Sequence, residues 1–336
     1  MEKNEIKLGV IGTNFVSDWL CDAVSSADGI TAHAVYSRTA EKGREFAEKH
    51  GIANVYTSLG DFLASDIDAV YIASPNFLHR EQAVMAMNAG KHVLVEKPAA
   101  LNSEEYAEMT ECAKRNRVIL MEAMRPVHDP ALDTAVNEMK KLGEVRHAVF
   151  DFCQYSSRYD RFKRGEVMNA FDPSLGNAAI MDIGVYAIET CIAVFGKPRS
   201  LFSRSMFFEN GFEGMGNALL DYGSFCAEIV YSKISDSVNT DYPSYIMCEG
   251  GSVSLGKLSM MTGVKSYARG SEEKVLVGER FENGGSNMIF EVNDFVSAIG
   301  GERLSRDYGA LTRDTICVMD EIRRQSGVVF PERKQS

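Results

Sequence analysis

The chain has 336 residues, 45% of them hydrophobic and 25% charged, which suits about two globular domains with cores of their own. A formal net charge of -11 argues against a nucleic-acid partner, because a phosphate backbone selects basic surfaces. Seven scattered cysteines with no C-x-x-C pair point to free thiols in a reducing compartment and away from a zinc site. With no signal-like segment and no apolar run of membrane-spanning length, the expectation is a cytoplasmic protein without a membrane partner.

The first third alternates short apolar runs with longer amphipathic ones. Strands are expected at 6–11, 30–37, 67–74, 91–96 and 118–123. Helices are expected at 15–26, 39–51, 79–90 and 103–116, with Gly51 and Gly90 closing two of them. Such alternation predicts an α/β domain, residues 1–123, built on a doubly wound parallel sheet of the Rossmann kind. The pattern changes at 124. Strand-like runs at 144–159, 199–209, 215–222, 225–232, 244–257, 262–268 and 273–278 are broken by turn signals. Helices are expected at 178–195, 288–299 and 308–325. Residues 124–336 therefore read as an α+β domain with a large, mostly antiparallel open sheet. Helices take one face, and apolar residues on both faces of LFSRSMFF and FCAEIVYS suggest a second copy on the other, a homodimer through this sheet.

The first strand runs into LGVIGTNFVSDWL, close to the G-x-G-x-x-G dinucleotide fingerprint. Gly12 is in place, Asn14 and Ser17 replace the other two glycines, and Thr13 and Phe15 complete the loop. Asparagine tolerates positive φ, so Asn14 is expected there with its backbone against a pyrophosphate, and Ser17 is small enough for close packing. A plain strand–helix turn remains the alternative. At the tip of the second strand stand Ser37 and Arg38, with Lys42 one turn later and no acid. An acid would suit the free 2′-hydroxyl of NAD; a hydroxyl and two cations suit a 2′-phosphate, so NADP is expected ahead of NAD. The alternative is a solvated helix start with Arg38 and Lys42 paired to Glu41, Glu45 or other nearby acids.

Two further strands end at Ser74-Pro75-Asn76, followed by His79, and at Glu96-Lys97-Pro98. Both are carboxyl ends, the edge where doubly wound sheets bind ligands. Lys97 there would be a fixed cation, held in place by Pro98, to which a cis bond is open.

PNxxH followed by AGKHVLVEKP resembles the glucose–fructose oxidoreductase, inositol dehydrogenase and MocA (Gfo/Idh/MocA) family over essentially the whole chain. The resemblance implies a Rossmann domain joined to an open-sheet domain, with Lys97 in the active site beside the nicotinamide. It also implies cofactor contacts from the first loop, from Ser37, Arg38 and Lys42, and from Ser74, Pro75, Asn76, His79 and Glu96. The segment Met181-Asp182-Ile183-Gly184-Val185-Tyr186 is similar to the subgroup of dimeric dihydrodiol dehydrogenases and NADP-dependent D-xylose dehydrogenases, where a Tyr is the acid/base. Asp182 and Tyr186, four apart, share a helical face. MEAMRPVHDP, with Arg125 and His128, also resembles that subgroup but has a proline directly after the arginine. The resemblance thus implies hydride transfer between NADP and a sugar, polyol or dihydrodiol-like substrate. Tyr186 is the acid/base, Lys97 favours its phenolate, and Asp182 orients the substrate or the lysine. Arg125, Arg158 and Arg161 are weaker candidates for cofactor or substrate contacts. From the residues alone, Tyr186 also reads as a core tyrosine. The whole chain also reads as a non-catalytic, cofactor- or sugar-sensing regulator, although such a protein needs none of Lys97, Asp182 and Tyr186.

Overall fold

A computed structural model describes residues 5–166, 168–237, 244–281 and 286–330. By contact the chain divides into two units, Met1–Arg125 with Asn283–Ala310, and Pro126–Glu282 with Leu311–Ser336. The segment 283–310, read above as part of the second domain, belongs with the first.

The first unit holds β1 (Ile6–Ile11), α1 (Phe15–Ser25), β2 (Ile30–Tyr36), α2 (Ala40–His50), β3 (Asn54–Tyr56), α3 (Leu59–Leu63), β4 (Ala69–Ile72), α4 (His79–Asn88), β5 (His92–Glu96), α5 (Ser103–Asn116) and β6 (Leu120–Ala123). The strands pair in the order β3-β2-β1-β4-β5-β6, every pair parallel. Central strands read as apolar runs because helices cover both faces: Val10, Val35, Val70, Ile72, Val93 and Val95 are fully buried. The three residues of β3 and five of α3 are too short for periodicity to mark. Strand order reverses beside β1, which pairs with β2 on one side and β4 on the other. That is the switch point at which open α/β sheets bind ligands.

The second unit begins after α6 (Arg125–His128). Next come α7 (Pro130–Met139), β7 (Val145–Cys153), α8 (Tyr159–Lys163), α9 (Val185–Phe195), β8 (Ser200–Phe207), β9 (Glu213–Asp221), β10 (Cys226–Ser232), β11 (Ser244–Cys248), β12 (Gly251–Gly256), β13 (Val264–Ala268) and β14 (Lys274–Val277). Helix α10 (Met288–Ile299) packs in the first unit against α1 and β6, and α11 (Tyr308–Ser326) begins in the first unit and continues in the second. The eight strands run β14-β13-β12-β11-β7-β10-β9-β8, antiparallel except for the parallel pair β7–β10. The run 144–159 is thus strand only to Cys153, and 244–257 is a hairpin. Helix α7, not anticipated, starts at Pro130, with Asp129 as its cap accepting from the Ala131 amide at 2.9 Å. One sheet face is buried, with α9 on β7 and β10 and α7 on β12 and β13. The opposite face exposes Phe202, Leu219, Met247, Tyr267 and Val275. Among the described residues no helix is long and apolar enough to cross a membrane.

Candidate active site

At the switch point of the first unit lies a cleft of about 710 Å³. Of the anticipated cofactor contacts, Gly12, Thr13, Asn14, Ser37, Arg38, Lys42, Ser74 and Pro75 line it. Tyr36, Thr39, Leu78 and Gln82 line it as well and were not singled out in the sequence.

The turn from β1 into α1 is stitched to the end of β4 through one carbonyl. Gly12 has φ +106°, and a Cβ there would stand 2.8 Å from the Ala73 oxygen. Asn14 donates from Nδ2 to that same oxygen at 2.8 Å. The expectation of positive φ at Asn14 is overturned: its φ is -100° with ψ 174°. The physical reason is its position. Asn14 is the N-cap of α1, a role that requires extended backbone, and its Oδ1 accepts from the Val16 and Ser17 amides at 2.9 and 3.2 Å. Gly12 alone takes the conformation closed to side chains. Ser17 is fully buried, in line with its packing role. Phe15 does not line the cleft. It is 53% exposed and meets Trp19 edge-on at 5.1 Å, while the Arg125 guanidinium lies over the Trp19 ring.

Arg38 and Lys42 are both exposed, and among the described residues neither makes an ion pair or hydrogen bond. The pairing with Glu41 or Glu45 is therefore not formed. Ser37 is buried beside them and tied through its amide to the Tyr56 carbonyl at 3.0 Å. On the other wall, Ser74 Oγ and Gln82 Oε1 are buried with no hydrogen-bond partner. Orphaned polar atoms, unpaired cations, and a glycine bringing backbone to the start of a helix all suit a phosphate-bearing dinucleotide.

His79 stands apart from the cleft lining. It is fully buried, with Nε2 2.8 Å from the Ser74 oxygen and Nδ1 2.9 Å from the Pro98 oxygen. It ties the ends of β4 and β5 together, so its anticipated ligand contact becomes one of holding the wall. Burial pushes its imidazole below the usual range, against the pull of the two carbonyls. Asn76, Glu96 and Lys97 also lie outside the cleft lining. The Lys97-Pro98 bond is cis. Glu96 accepts from the Tyr71 hydroxyl at 2.5 Å, and burial raises its carboxyl although the Lys97 ammonium opposes this. Near it, Glu122 accepts from the Ala99 amide at 2.7 Å. Glu291, from α10, is fully buried with neither carboxylate oxygen hydrogen-bonded, and burial drives its carboxyl well above the ordinary range.

In the second unit, the expected helix 178–195 begins as a π-turn, Ile180–Gly184, before α9. Such turns recur at functional sites, and this one carries Asp182. It is held from below by Glu213, fully buried, which accepts from the Ile180 amide at 2.8 Å, the Tyr231 hydroxyl at 2.8 Å and the Ser205 hydroxyl at 2.5 Å. Gly184 admits the Tyr231 ring, 3.0 Å from where a Cβ would stand. Asp182 is paired with Lys233 at 2.7 Å, a residue the sequence reading passed over. Tyr186 is 7% exposed, its ring edge-on to Phe152 at 5.1 Å. Of the weaker candidates, Arg161 pairs with Glu166 at 2.6 Å and Arg158 is exposed. Val167, within the stretch 156–174, lies outside the described residues.

Comparison with known proteins matches residues 6–124 to the oxidoreductase family with an NAD-binding Rossmann fold and residues 135–254 to the GFO/IDH/MocA C-terminal domain. The chain is 39% identical over 330 residues to scyllo-inositol 2-dehydrogenase (NADP(+)) IolU of Bacillus subtilis, covering 97% of this chain and 98% of that one. It is 27% identical over 340 residues to trans-1,2-dihydrobenzene-1,2-diol dehydrogenase of Xenopus laevis, covering 97% and 99%. In fold it is similar to KijD10, a 3-ketoreductase of Actinomadura kijaniata seen with NADP and TDP-benzene (TM-score 0.84, 21% identity, 96% and 98% covered). It is equally similar to a levoglucosan dehydrogenase (TM-score 0.84, 17% identity, 96% and 98% covered). A parallel six-stranded domain with its switch-point cleft, an open eight-stranded sheet, and these matches lead to one conclusion: the chain belongs to the Gfo/Idh/MocA family of NAD(P)-dependent oxidoreductases.

Proposed function

We propose that the protein transfers a hydride between NADP(H) and a hydroxyl or carbonyl carbon of a sugar, polyol or dihydrodiol-like substrate. The observation that carries the cofactor choice is the pair of unpaired cations, Arg38 and Lys42, beside Ser37 on a cleft with no acid at the tip of β2. The similarity to an NADP(+)-dependent inositol dehydrogenase supports both the cofactor and an uncharged, hydroxyl-rich substrate.

When bound, the nicotinamide accepts or supplies the hydride. This chain's residues do the rest. Gly12, Thr13 and Asn14 hold the pyrophosphate at the start of α1, and Ser37, Arg38 and Lys42 hold the 2′-phosphate. Ser74 and Pro75 form the opposite wall, Asn76 adds a cofactor contact beyond it, and His79 and Glu96 fix the two strand ends. In oxidation, the Tyr186 phenolate takes the hydroxyl proton as that carbon loses hydride, which leaves a carbonyl and a neutral phenol. In reduction, the phenol returns the proton. Lys97 assists this proton exchange as a fixed cation, and Asp182 accepts hydrogen bonds from substrate hydroxyls.

The same reading makes the exposed face of the eight-stranded sheet the contact between two copies. Phe202 and Leu219, register partners on β8 and β9, are 59% and 44% exposed there. Apolar side chains of that size in one array mark an association surface.

Fluorescence titration with NADP⁺ and NAD⁺, followed by a turnover screen over inositols, aldoses and dihydrodiols, tests the function. Tighter NADP⁺ binding with steady reduction on at least one polyol is expected. Cofactor binding without turnover on the whole panel would favour the sensing regulator instead.

A further inference from the structure

Lys233 follows the last residue of β10, and its side chain is only 5% exposed. Lysine is rarely buried unless its charge is compensated. Its ammonium pairs with Asp182 Oδ2 at 2.7 Å and donates to the Ala170 carbonyl at 3.0 Å. It also lies 5.3 Å from the centre of the Phe171 ring and 5.6 Å from that of Phe212, within cation–π range. The main chain of Lys233 adds a third tie, because its carbonyl accepts from the Ser156 amide at 2.9 Å.

These contacts tie two neighbouring parts of the chain to the end of β10, which is distant from both in sequence. One is the π-turn carrying Asp182. The other is the stretch from Ser156 to Phe171, whose Tyr159, Phe162 and Phe171 rings stack on one another. Asp182 is 43% exposed and so open to a ligand, whereas the Lys233 side chain beside it is only 5% exposed. A group so placed does not touch substrate. It sets the orientation of the carboxylate that does, and fixes the aromatic stretch against it.

We infer that Lys233 is a positioning residue for substrate, acting through Asp182 and the Ala170–Phe171 turn. The inference rests on the role proposed for Asp182 and adds the side chain through which that role is set. A misplacement of about 1 Å in a substrate-orienting group costs on the order of 10²-fold, which is the size of loss expected in kcat/KM.

The experiment is a double-mutant cycle of Lys233→Met and Asp182→Asn, measured on the best polyol of the turnover panel with saturating NADP⁺. Lys233→Met should lower kcat/KM roughly 100-fold, with the NADP⁺ dissociation constant unchanged. In the Asp182→Asn background the same replacement should cost little, because both act through one carboxylate. If Lys233→Met is not folded by circular dichroism, Lys233→Arg carries the same cycle, keeping the charge but not the reach to both oxygens. Its expected loss is smaller and again vanishes beside Asp182→Asn. Additive losses, or a folded Lys233 variant with wild-type kcat/KM and only a lowered melting temperature, overturn the inference. A wild type that turns over no polyol removes the functional reading and this one together. Wild-type turnover with an additive cycle removes this one alone.

Discussion

Replacing Arg38 and Lys42 by alanine removes the two cations that the cleft presents without partners. Neither is engaged within the protein among the described residues, so the double variant loses no internal ion pair and its fold should be undisturbed. Hydrogen bonds to a charged group are worth about 1.5–3 kcal/mol each, or roughly 10- to 150-fold. Both residues are exposed and open to screening, which places each at the low end. About tenfold per residue gives roughly 100-fold weaker NADP⁺ binding for the pair. NAD⁺ lacks the 2′-phosphate and should bind the variant as it binds wild type. Titration by fluorescence at low and high salt reads both effects, and the wild-type preference for NADP⁺ should itself shrink as salt rises. Equal losses for the two cofactors, or an unchanged NADP⁺ constant, would refute the assignment.

Other consequences are equally specific. Gly12→Ala forces a side chain into φ +106° and against the Ala73 oxygen, so it should destabilise by about 1–3 kcal/mol in urea unfolding and weaken cofactor binding. Asn14→Ala removes the cap of α1 and should cost about 1 kcal/mol; a neutral result would contradict the capping account. For Glu291, burial raises the folded carboxyl above its unfolded range, so the folded chain keeps a proton that the unfolded chain loses. Its stabilising effect is complete below the ordinary glutamate range and is lost as pH rises toward the raised value, at roughly 1.4 kcal/mol per pH unit. Glu291→Gln should therefore gain on wild type steadily as pH rises, and parallel stability curves between acid and alkaline pH would exclude this. Phe202→Lys on the exposed sheet face should convert a dimer to a monomer in light scattering, and a wild type already monomeric at micromolar concentration would remove that interface.

Apart from β3 and α3, the strand–helix alternation of the first 123 residues was legible because the central strands β1, β4 and β5 are buried on both faces and the helices on one, so hydrophobic period separates them. Helix α7 carried its own signal, Asp129 before Pro130, that period counting passes over. The attachment of α10 to the first unit was not legible, since an amphipathic helix does not encode which surface covers its apolar stripe. Asn14 shows a related gap. The residue type allows both positive φ and capping, and only the place where α1 begins decides between them. Lys233 is the clearest case in the candidate site. In sequence it is one lysine after a strand; its meaning comes from Asp182, Ala170 and two rings brought around it by the fold.

The central claim, proton exchange by Tyr186 coupled to hydride transfer, is tested most directly by Tyr186→Phe. The hydroxyl is removed while the ring that meets Phe152 stays. With the best polyol and saturating NADP⁺, kcat should fall by roughly 10²- to 10⁴-fold, with NADP⁺ affinity and melting temperature close to wild type. A variant that keeps most of its kcat would contradict the account.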